Sequence, residues 1–267
     1  MFPRQNAACG KFKRDPARTG SKRTLRCAAM ITLTLAPATL PAGQRVYAVG
    51  DIHGCADRLA VLHQLIAADL AARPIADPLL LHLGDYVDRG EDSAGVVARL
   101  RQPWPAPGLR RLDLMGNHEA MMLEAVDTGE AEAAMQWLSN GGAESLASWG
   151  IARRAKPREW ARAIPADVLA FLRGLPLLHQ AGGYIFVHAG LRPGVPLERQ
   201  SRHDMLWIRE PFLSWRGDLP GVVVHGHTPE HDVVVRPNRL GIDTGAVMGG
   251  VLTCAVLEGD RMGFLRA

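Results

Sequence analysis

No stretch of this chain approaches the 18 or more apolar residues of a membrane-spanning helix. No internal repeat recurs, and no low-complexity tract lies beyond the first 29 residues. Helical membrane-spanning and repeat architectures are thereby set aside. Cysteine is scarce: the four are Cys9, Cys27, Cys55 and Cys254, and no two form a C-x-x-C pair. That argues against a disulfide framework and fits a reducing, cytoplasmic compartment. Excess positive charge is also missing from most of the chain, although the formal net charge is +4. Residues 1–29 hold eight Lys/Arg and one acid, Asp15, which leaves 23 basic and 26 acidic residues in the remainder. The body is therefore mildly acidic, and the basic balance gives no argument for nucleic-acid binding.

What is present is an ordinary globular composition over 267 residues, enough for one large domain or two small ones. Residues 1–44 read as a disordered basic tail and linker. A targeting segment is a competing reading of the tail, because basic residues precede the short run Cys27–Leu35. So are a basic arm for nucleic acid or acidic lipid, and a true translation start at Met30. Residues 45–267 read as one domain with a helical insert at about 119–175.

The chain is organised around Gly84-Asp85-Tyr86-Val87-Asp88-Arg89-Gly90. It follows the apolar run Leu79–Leu83, the pattern of a buried strand. In open α/β sheets, ligands bind beyond the carboxyl ends of strands. Two acids and an arginine at such an end suit metal and phosphate chemistry. Solvated charges in a turn are the plain alternative for this stretch taken alone.

The stretch has company. Strand Arg45–Val49 ends in Gly50-Asp51-Ile52-His53-Gly54. A helix is expected from about Asp57, another over Ser93–Arg101, and a third strand over Leu109–Met115. That strand ends in Gly116-Asn117-His118-Glu119. A β-α-β-α-β start implies a parallel sheet with right-handed crossovers. The Ala-rich region 119–175 is broken by Gly141-Gly142, Gly150, Pro157 and Pro165, the pattern of several helices forming a cap. Its tryptophans, Trp137, Trp149 and Trp160, are expected to pack helices rather than to form a recognition surface. Later strands are expected at Tyr184–Val187, Val222–Val224, Val233–Val235, Leu240–Ile242, Val251–Leu257 and Met262–Leu265. Two of these end in His188-Ala189-Gly190 and His225-Gly226-His227-Thr228. The fold class is α/β: two packed sheets flanked by helices, an αββα sandwich with a helical insert.

Five strands thus each end in a glycine-flanked cluster of Asp, His or Asn. Carboxylate, imidazole and amide oxygen suit manganese, iron or zinc. No thiolate stands among them, which disfavours a structural zinc site. The donors are too many for one ion, and two ions need a bridging carboxylate, for which Asp85 is placed.

These five motifs, in this order, resemble the metal-dependent phosphoprotein phosphatase family of the calcineurin-like metallophosphoesterase fold, and within it the bacteriophage lambda and bacterial serine/threonine phosphatase group. Asp204–Glu210 and Ile242–Val247 strengthen the likeness, which spans about residues 45–257. The resemblance implies one ion on Asp51, His53 and Asp85, and a second on Asp85, Asn117, His188 and His227. It implies His118 as general acid, Asp88 as its orienting carboxylate, and Arg89, Arg209 and Asn117 as phosphate-binding groups. The activity implied is hydrolysis of phosphoserine and phosphothreonine in proteins by direct attack of a hydroxide shared by two divalent ions, with manganese the first expectation. A monomer with a phosphoprotein or phosphopeptide partner, and no nucleic acid or membrane partner, is expected. Symmetric dinucleoside tetraphosphate hydrolysis is the alternative on the same fold. A non-catalytic binding protein and a nucleic-acid binder acting through residues 1–29 are the competitors from other classes. His82 is read as a satisfied core histidine, His225 and Asp243 as support behind the ligands, His231 as a loop residue and Cys55 as a packed small residue.

Overall fold

A computed structural model describes residues 31–104, 108–152 and 154–267. The basic lead, residues 1–29, and the centre of the Pro103–Gly108 loop lie outside them. The expectation of a disordered tail therefore concerns residues that are not described.

The chain runs β1 (Thr34–Leu35), β2 (Gln44–Val49), α1 (Ala56–Ala72), β3 (Asp77–His82), α2 (Ser93–Arg101), β4 (Arg110–Asp113) and α3 (Asn117–Thr128). The insert continues through α4 (Ala131–Trp137), a wide-turned stretch Leu138–Gly142, α5 (Ala143–Ser148), α6 (Pro157–Ala163) and α7 (Ala166–Arg173). Then come β5 (Leu178–Ala181), β6 (Tyr184–Val187), α8 (Arg202–Trp207), β7 (Val222–His225), β8 (Val234–Val235), β9 (Arg239–Gly241), β10 (Thr253–Glu258) and β11 (Arg261–Arg266).

Two sheets form, in the orders β1-β11-β10-β2-β3-β4 and β5-β6-β7-β9-β8. Strands β2, β3 and β4 are mutually parallel, as are β6, β7 and β9. The antiparallel strands lie outside these trios. Period-2 alternation sets the layers. On β2, Val46 and Ala48 face the second sheet, packing with Phe186, Val224 and Leu240. Tyr47 and Val49 face the helices, packing with Leu59, Leu62, Val96 and Met122. On β6, Ile185 and Val187 turn outward to Met205 and Ile208 of the α8 region. Helix, sheet, sheet, helix is the αββα arrangement expected.

Two strands were not anticipated. Thr34–Leu35 pairs antiparallel with Met262 and Arg261 of β11. The segment after it is not a free linker: Ala36 and Leu40 donate backbone N–H to the carbonyls of Asp260 and Gly259. Tyr184 Oη donates to the Ala38 carbonyl. Leu178–Ala181 pairs with β6 across a Gly182-Gly183 turn. The pairing of Thr34–Leu35 is decided by a distant partner, which a local pattern does not carry, whereas Gly182-Gly183 between two short runs is a hairpin signal that was overlooked.

The parallel strands bring their carboxyl ends together. Asp51 and His53 follow β2, Asp85 and Asp88 follow β3, Asn117 and His118 follow β4, His188 follows β6, and His227 follows β7. Among the described residues, five non-glycine residues have positive φ: His53, Asp85, Asp88, Arg89 and His227. All five are at this edge. Left-handed backbone is costly for such residues, and the cost is characteristic of functional sites.

Candidate metal centre and phosphoryl site

Close backbone approach makes the site possible. A Cβ on Gly116 would lie 2.2 Å from Asp85 Oδ1, and one on Gly226 would lie 2.0 Å from Asp51 Oδ1. Glycine is the residue that lets these loops press on the carboxylates. Glu119, in the first turn of α3, fastens the loop after β3. Its carboxylate accepts backbone N–H bonds from Asp85, Tyr86, Val87 and Gly116 at 2.7–3.2 Å. Burial and the charge of Asp85 push its carboxyl up to about 8, against the Tyr86, Val87 and Asp85 donors. Glu119 stands in the Gly-Asn-His-Glu motif, but its stapling role was missed.

Two groups of buried donors converge on Asp85. One comprises His53, Asp85 and His118; the other Asp85, His188 and His227. His53 Nε2 is 3.3 Å from Asp85 Oδ2, and His188 Nε2 is 3.4 Å from Asp85 Oδ1. Asn117 Oδ1 lies 2.8 Å from His188 Nε2 and 2.9 Å from His227 Nδ1. Burial opposes ionisation of Asp85, yet His188, His118 and His53 hold its carboxyl well below the ordinary range. Asp51 stands outside both groups. Its carboxylate accepts the backbone N–H of His227 at 3.0 and 3.2 Å. Burial, Asp243 and Asp85 push its carboxyl well up. Asp243, also buried, is pushed up by burial as well.

The ring nitrogens show what is missing from this constellation. His53 Nδ1 donates to the Val87 carbonyl at 2.9 Å, and His188 Nδ1 to the Leu83 carbonyl at 3.0 Å. In the neutral rings each Nε2 is then a lone pair: that of His53 meets Arg89 Nη1 at 2.9 Å, whereas that of His188 faces oxygen, Asn117 Oδ1 at 2.8 Å and Asp85 Oδ1 at 3.4 Å. Acceptor against acceptor at about 3 Å is stable only with a proton or a cation between. His227 Nε2 is buried without any partner. Three buried acids share the space. Imidazoles anchored through the opposite nitrogen to a carbonyl are the usual preparation of a metal ligand. The residues present therefore fit divalent cations.

His118 differs from the other imidazoles. Its Nδ1 is 2.7 Å from Asp88 Oδ2, which fixes the proton on Nδ1 and leaves Nε2, 3.9 Å from Asp85 Oδ2, directed at the site. Asp88 is fully buried. Trp137 Nε1 donates to both its oxygens at 2.9 and 3.0 Å, and Ser145 Oγ donates to Oδ1 at 2.7 Å. Neither Trp137 nor Ser145 belongs to any recognisable motif, so no signal in the sequence could have found them.

Arg89 is exposed, with Nη1 2.9 Å from His53 Nε2. Arg209 is exposed, and its charge helps to lower the His227 imidazole, which burial first and His188 next take to about 3. The structure thus brings together every residue expected at the site, with Arg209 at the margin. His225 turns away, with Nε2 against Arg239 and Nδ1 on the Gly226 carbonyl. His231 is exposed in the stretch before β8, and Cys55 packs on the helix-side core.

Fold and site together define a metal-dependent phosphoesterase. The family model for calcineurin-like phosphoesterases matches residues 44–249, and the chain belongs to that family. Serine/threonine-protein phosphatase 1 of Salmonella typhimurium is 33% identical over 222 residues, covering 80% of this chain and 93% of its own. The symmetrical bis(5'-nucleosyl)-tetraphosphatase of Dechloromonas aromatica is 32% identical over 291 residues, covering 82% and 94%. A crystal structure of a candidate diadenosine tetraphosphatase is similar with a TM-score of 0.61 at 27% identity, over 86% of this chain and 98% of that one. Among the described residues, no helix is long and apolar enough to cross a membrane.

Proposed function

We propose that the chain is a two-metal phosphomonoesterase acting on phosphoserine and phosphothreonine in proteins. The observation that carries the metal chemistry is the His188 Nε2 lone pair facing the oxygens of Asp85 and Asn117, with His227 Nε2 buried nearby without a partner. His53, Asp85 and Asp51 would hold one ion; Asp85, Asn117, His188 and His227 the other. Manganese suits this donor set, and iron or zinc is compatible with it. Bound ions there would supply a nucleophilic water near neutral pH and neutralise phosphoryl oxygens.

The chain's own residues complete the reaction. Arg89 and Arg209 border the donors and present guanidinium forks to a phosphate. Asp88 holds the Nδ1 proton of His118, so in the imidazolium form the Nε2 proton is the one delivered to the leaving oxygen. A serine or threonine alkoxide leaves poorly and needs that proton.

Hydrolysis of a symmetric dinucleoside tetraphosphate is the second reading, supported by the tetraphosphatase relatives and the TM-score of 0.61. One feature favours protein phosphate. The alignment to the Dechloromonas aromatica tetraphosphatase runs over 291 positions to cover 82% of this chain, so that relative has segments without counterpart here. The phosphatase alignment covers a similar share in 222. Turnover of a phosphoserine peptide and of diadenosine tetraphosphate, measured side by side, decides between them. A higher kcat/KM for the peptide is expected; the reverse order replaces the first reading with the second.

A further inference from the structure

The helical insert reaches into the candidate proton-transfer machinery. Trp137, at the end of α4, is fully buried, and its ring meets Trp160 edge-on at 5.4 Å. Its one polar atom does not stay in the apolar core. Nε1 bisects the Asp88 carboxylate, 2.9 Å from one oxygen and 3.0 Å from the other. Ser145, in α5, is also fully buried. Its hydroxyl donates to Asp88 Oδ1 and accepts the backbone N–H of Asp88, each at 2.7 Å. Ser93 accepts the same N–H at 3.0 Å. Asp88 has no Lys or Arg partner among the described ion pairs; its donors are neutral, apart from His118 when that ring is protonated.

The stretch between the two residues is shaped to deliver them. Gly142 touches the Trp137 ring closely enough that a Cβ there would lie 2.7 Å from it. Gly141, at φ 102°, accepts the backbone N–H of Arg89 at 3.1 Å. Asp88 and Arg89 both have left-handed backbone. The insert therefore clamps the strained Asp88-Arg89 pair from outside the sheet that bears it.

A carboxylate that must orient an imidazole needs its own rotation fixed. One bond to His118 leaves the carboxylate free to turn about its Cβ–Cγ axis. Two donors on the other side remove that freedom, and neutral donors do so without an opposing cation that would draw the carboxylate away from the imidazole. We propose that Trp137 and Ser145 of the insert are positioning residues for the Asp88–His118 pair, setting the rate of protonation of the leaving oxygen. This rests on the phosphomonoesterase reading above, and it gives the insert a part in turnover besides any part in substrate choice.

Trp137→Phe removes the N–H and keeps most of the ring; Ser145→Ala removes the hydroxyl. Each is compared with wild type, Asp88→Asn and His118→Asn on a phosphoserine peptide and on p-nitrophenyl phosphate. Melting temperature and bound metal are recorded for every variant. Trp137→Phe is expected to lower kcat on the peptide about 10-fold, a part of the ~10²–10⁴-fold that acid catalysis contributes. KM on the peptide and kcat on the aryl ester should change less than about 3-fold. Trp137→Phe in an Asp88→Asn background should add nothing, because both changes break one unit. Independently of turnover, the Trp137 indole proton should be protected from solvent exchange in wild type and lose that protection in Asp88→Asn. Equal slowing of both substrates by Trp137→Phe, or wild-type kinetics, overturns the inference while leaving the phosphoesterase reading intact. If Trp137→Phe does not fold, Ser145→Ala decides by the same criteria. If His118→Asn itself fails to discriminate the two substrates, the acid-catalysis reading and this inference fall together.

Discussion

Two clusters of buried histidine and aspartate lie along strand β3, and they are built on opposite principles. In the first, within the helix-side layer, His82 Nδ1 bonds Asp113 Oδ1 at 2.7 Å, and His82 Nε2 meets His63 Nε2 at 3.0 Å. Arg111 Nε lies 3.2 Å from the other Asp113 oxygen. Donors and acceptors alternate along this chain, and none of its four members has positive φ. In the second, three residues further along at Asp85, acceptors face acceptors. Asp51, Asp85 and Asp243 have no Lys or Arg ion pair among the described residues, Arg89 meeting His53 instead, and His227 Nε2 has no partner. Its backbone is left-handed at His53, Asp85 and His227. Histidine and aspartate side by side in the interior therefore do not by themselves mark a site. Polar balance separates the two cases: a closed network stabilises the fold, whereas an open one is completed by something from outside.

Breaking the open cluster should have the largest effect. Asp85→Asn removes the carboxylate that both donor groups share. Turnover of a phosphoserine peptide should fall by about 10³-fold or more, since metal stabilisation of the transition state is worth several kcal/mol. The next effect in size is selective. His118→Asn leaves the shared carboxylate in place and removes the proton donor. Peptide turnover should drop by about 10²–10⁴-fold, with a much smaller loss on an aryl phosphate, whose leaving group needs no proton. Equal losses on both substrates with metal retained would remove His118 from the role of acid.

The closed cluster should respond in stability. Burial, with His82 next, depresses the His63 imidazole to about 2. The unfolded chain takes up a proton there below about 6.5, and the folded chain does not. Stability is therefore full above pH 6.5 and declines as pH falls from there toward 2, by about 2 kcal/mol at pH 5. His63→Gln should cost about 1 kcal/mol at pH 7. It should also flatten the loss between pH 7 and pH 5 by about 2 kcal/mol in denaturant melts. An unchanged pH slope would show that His63 is solvated, and the contrast between the clusters would lose one side.

Much of this contrast was legible in the sequence, for identifiable reasons. Apolar runs closed by glycine-flanked polar residues locate strand ends, so Asp51, Asp85, Asn117, His188 and His227 could be read before any coordinates. The β-α-β-α-β start followed by a mostly β second half pointed to two packed sheets flanked by helices. His82 was correctly read as a core histidine because it interrupts a buried run. Its partners His63 and Asp113 were not foreseen: the three are joined by the parallel register of β3 and β4 and by the packing of α1, neither of which is local. Trp137 and Ser145 were invisible for the same reason, lying 49 and 57 residues from Asp88. Strand Thr34–Leu35 depends wholly on a partner at the far end of the chain, whereas Leu178–Ala181 was overlooked although Gly182-Gly183 is a local hairpin signal.

The most direct test of the central claim is divalent-metal stoichiometry, by manganese titration of the apo protein with elemental analysis of the loaded form. Wild type should bind two ions per chain. Asp85→Asn should lose both sites or retain one weakly, and His63→Gln should still bind two. Two tightly held ions in Asp85→Asn, or none in wild type, would contradict the assignment of the cluster around Asp85 as a two-metal centre.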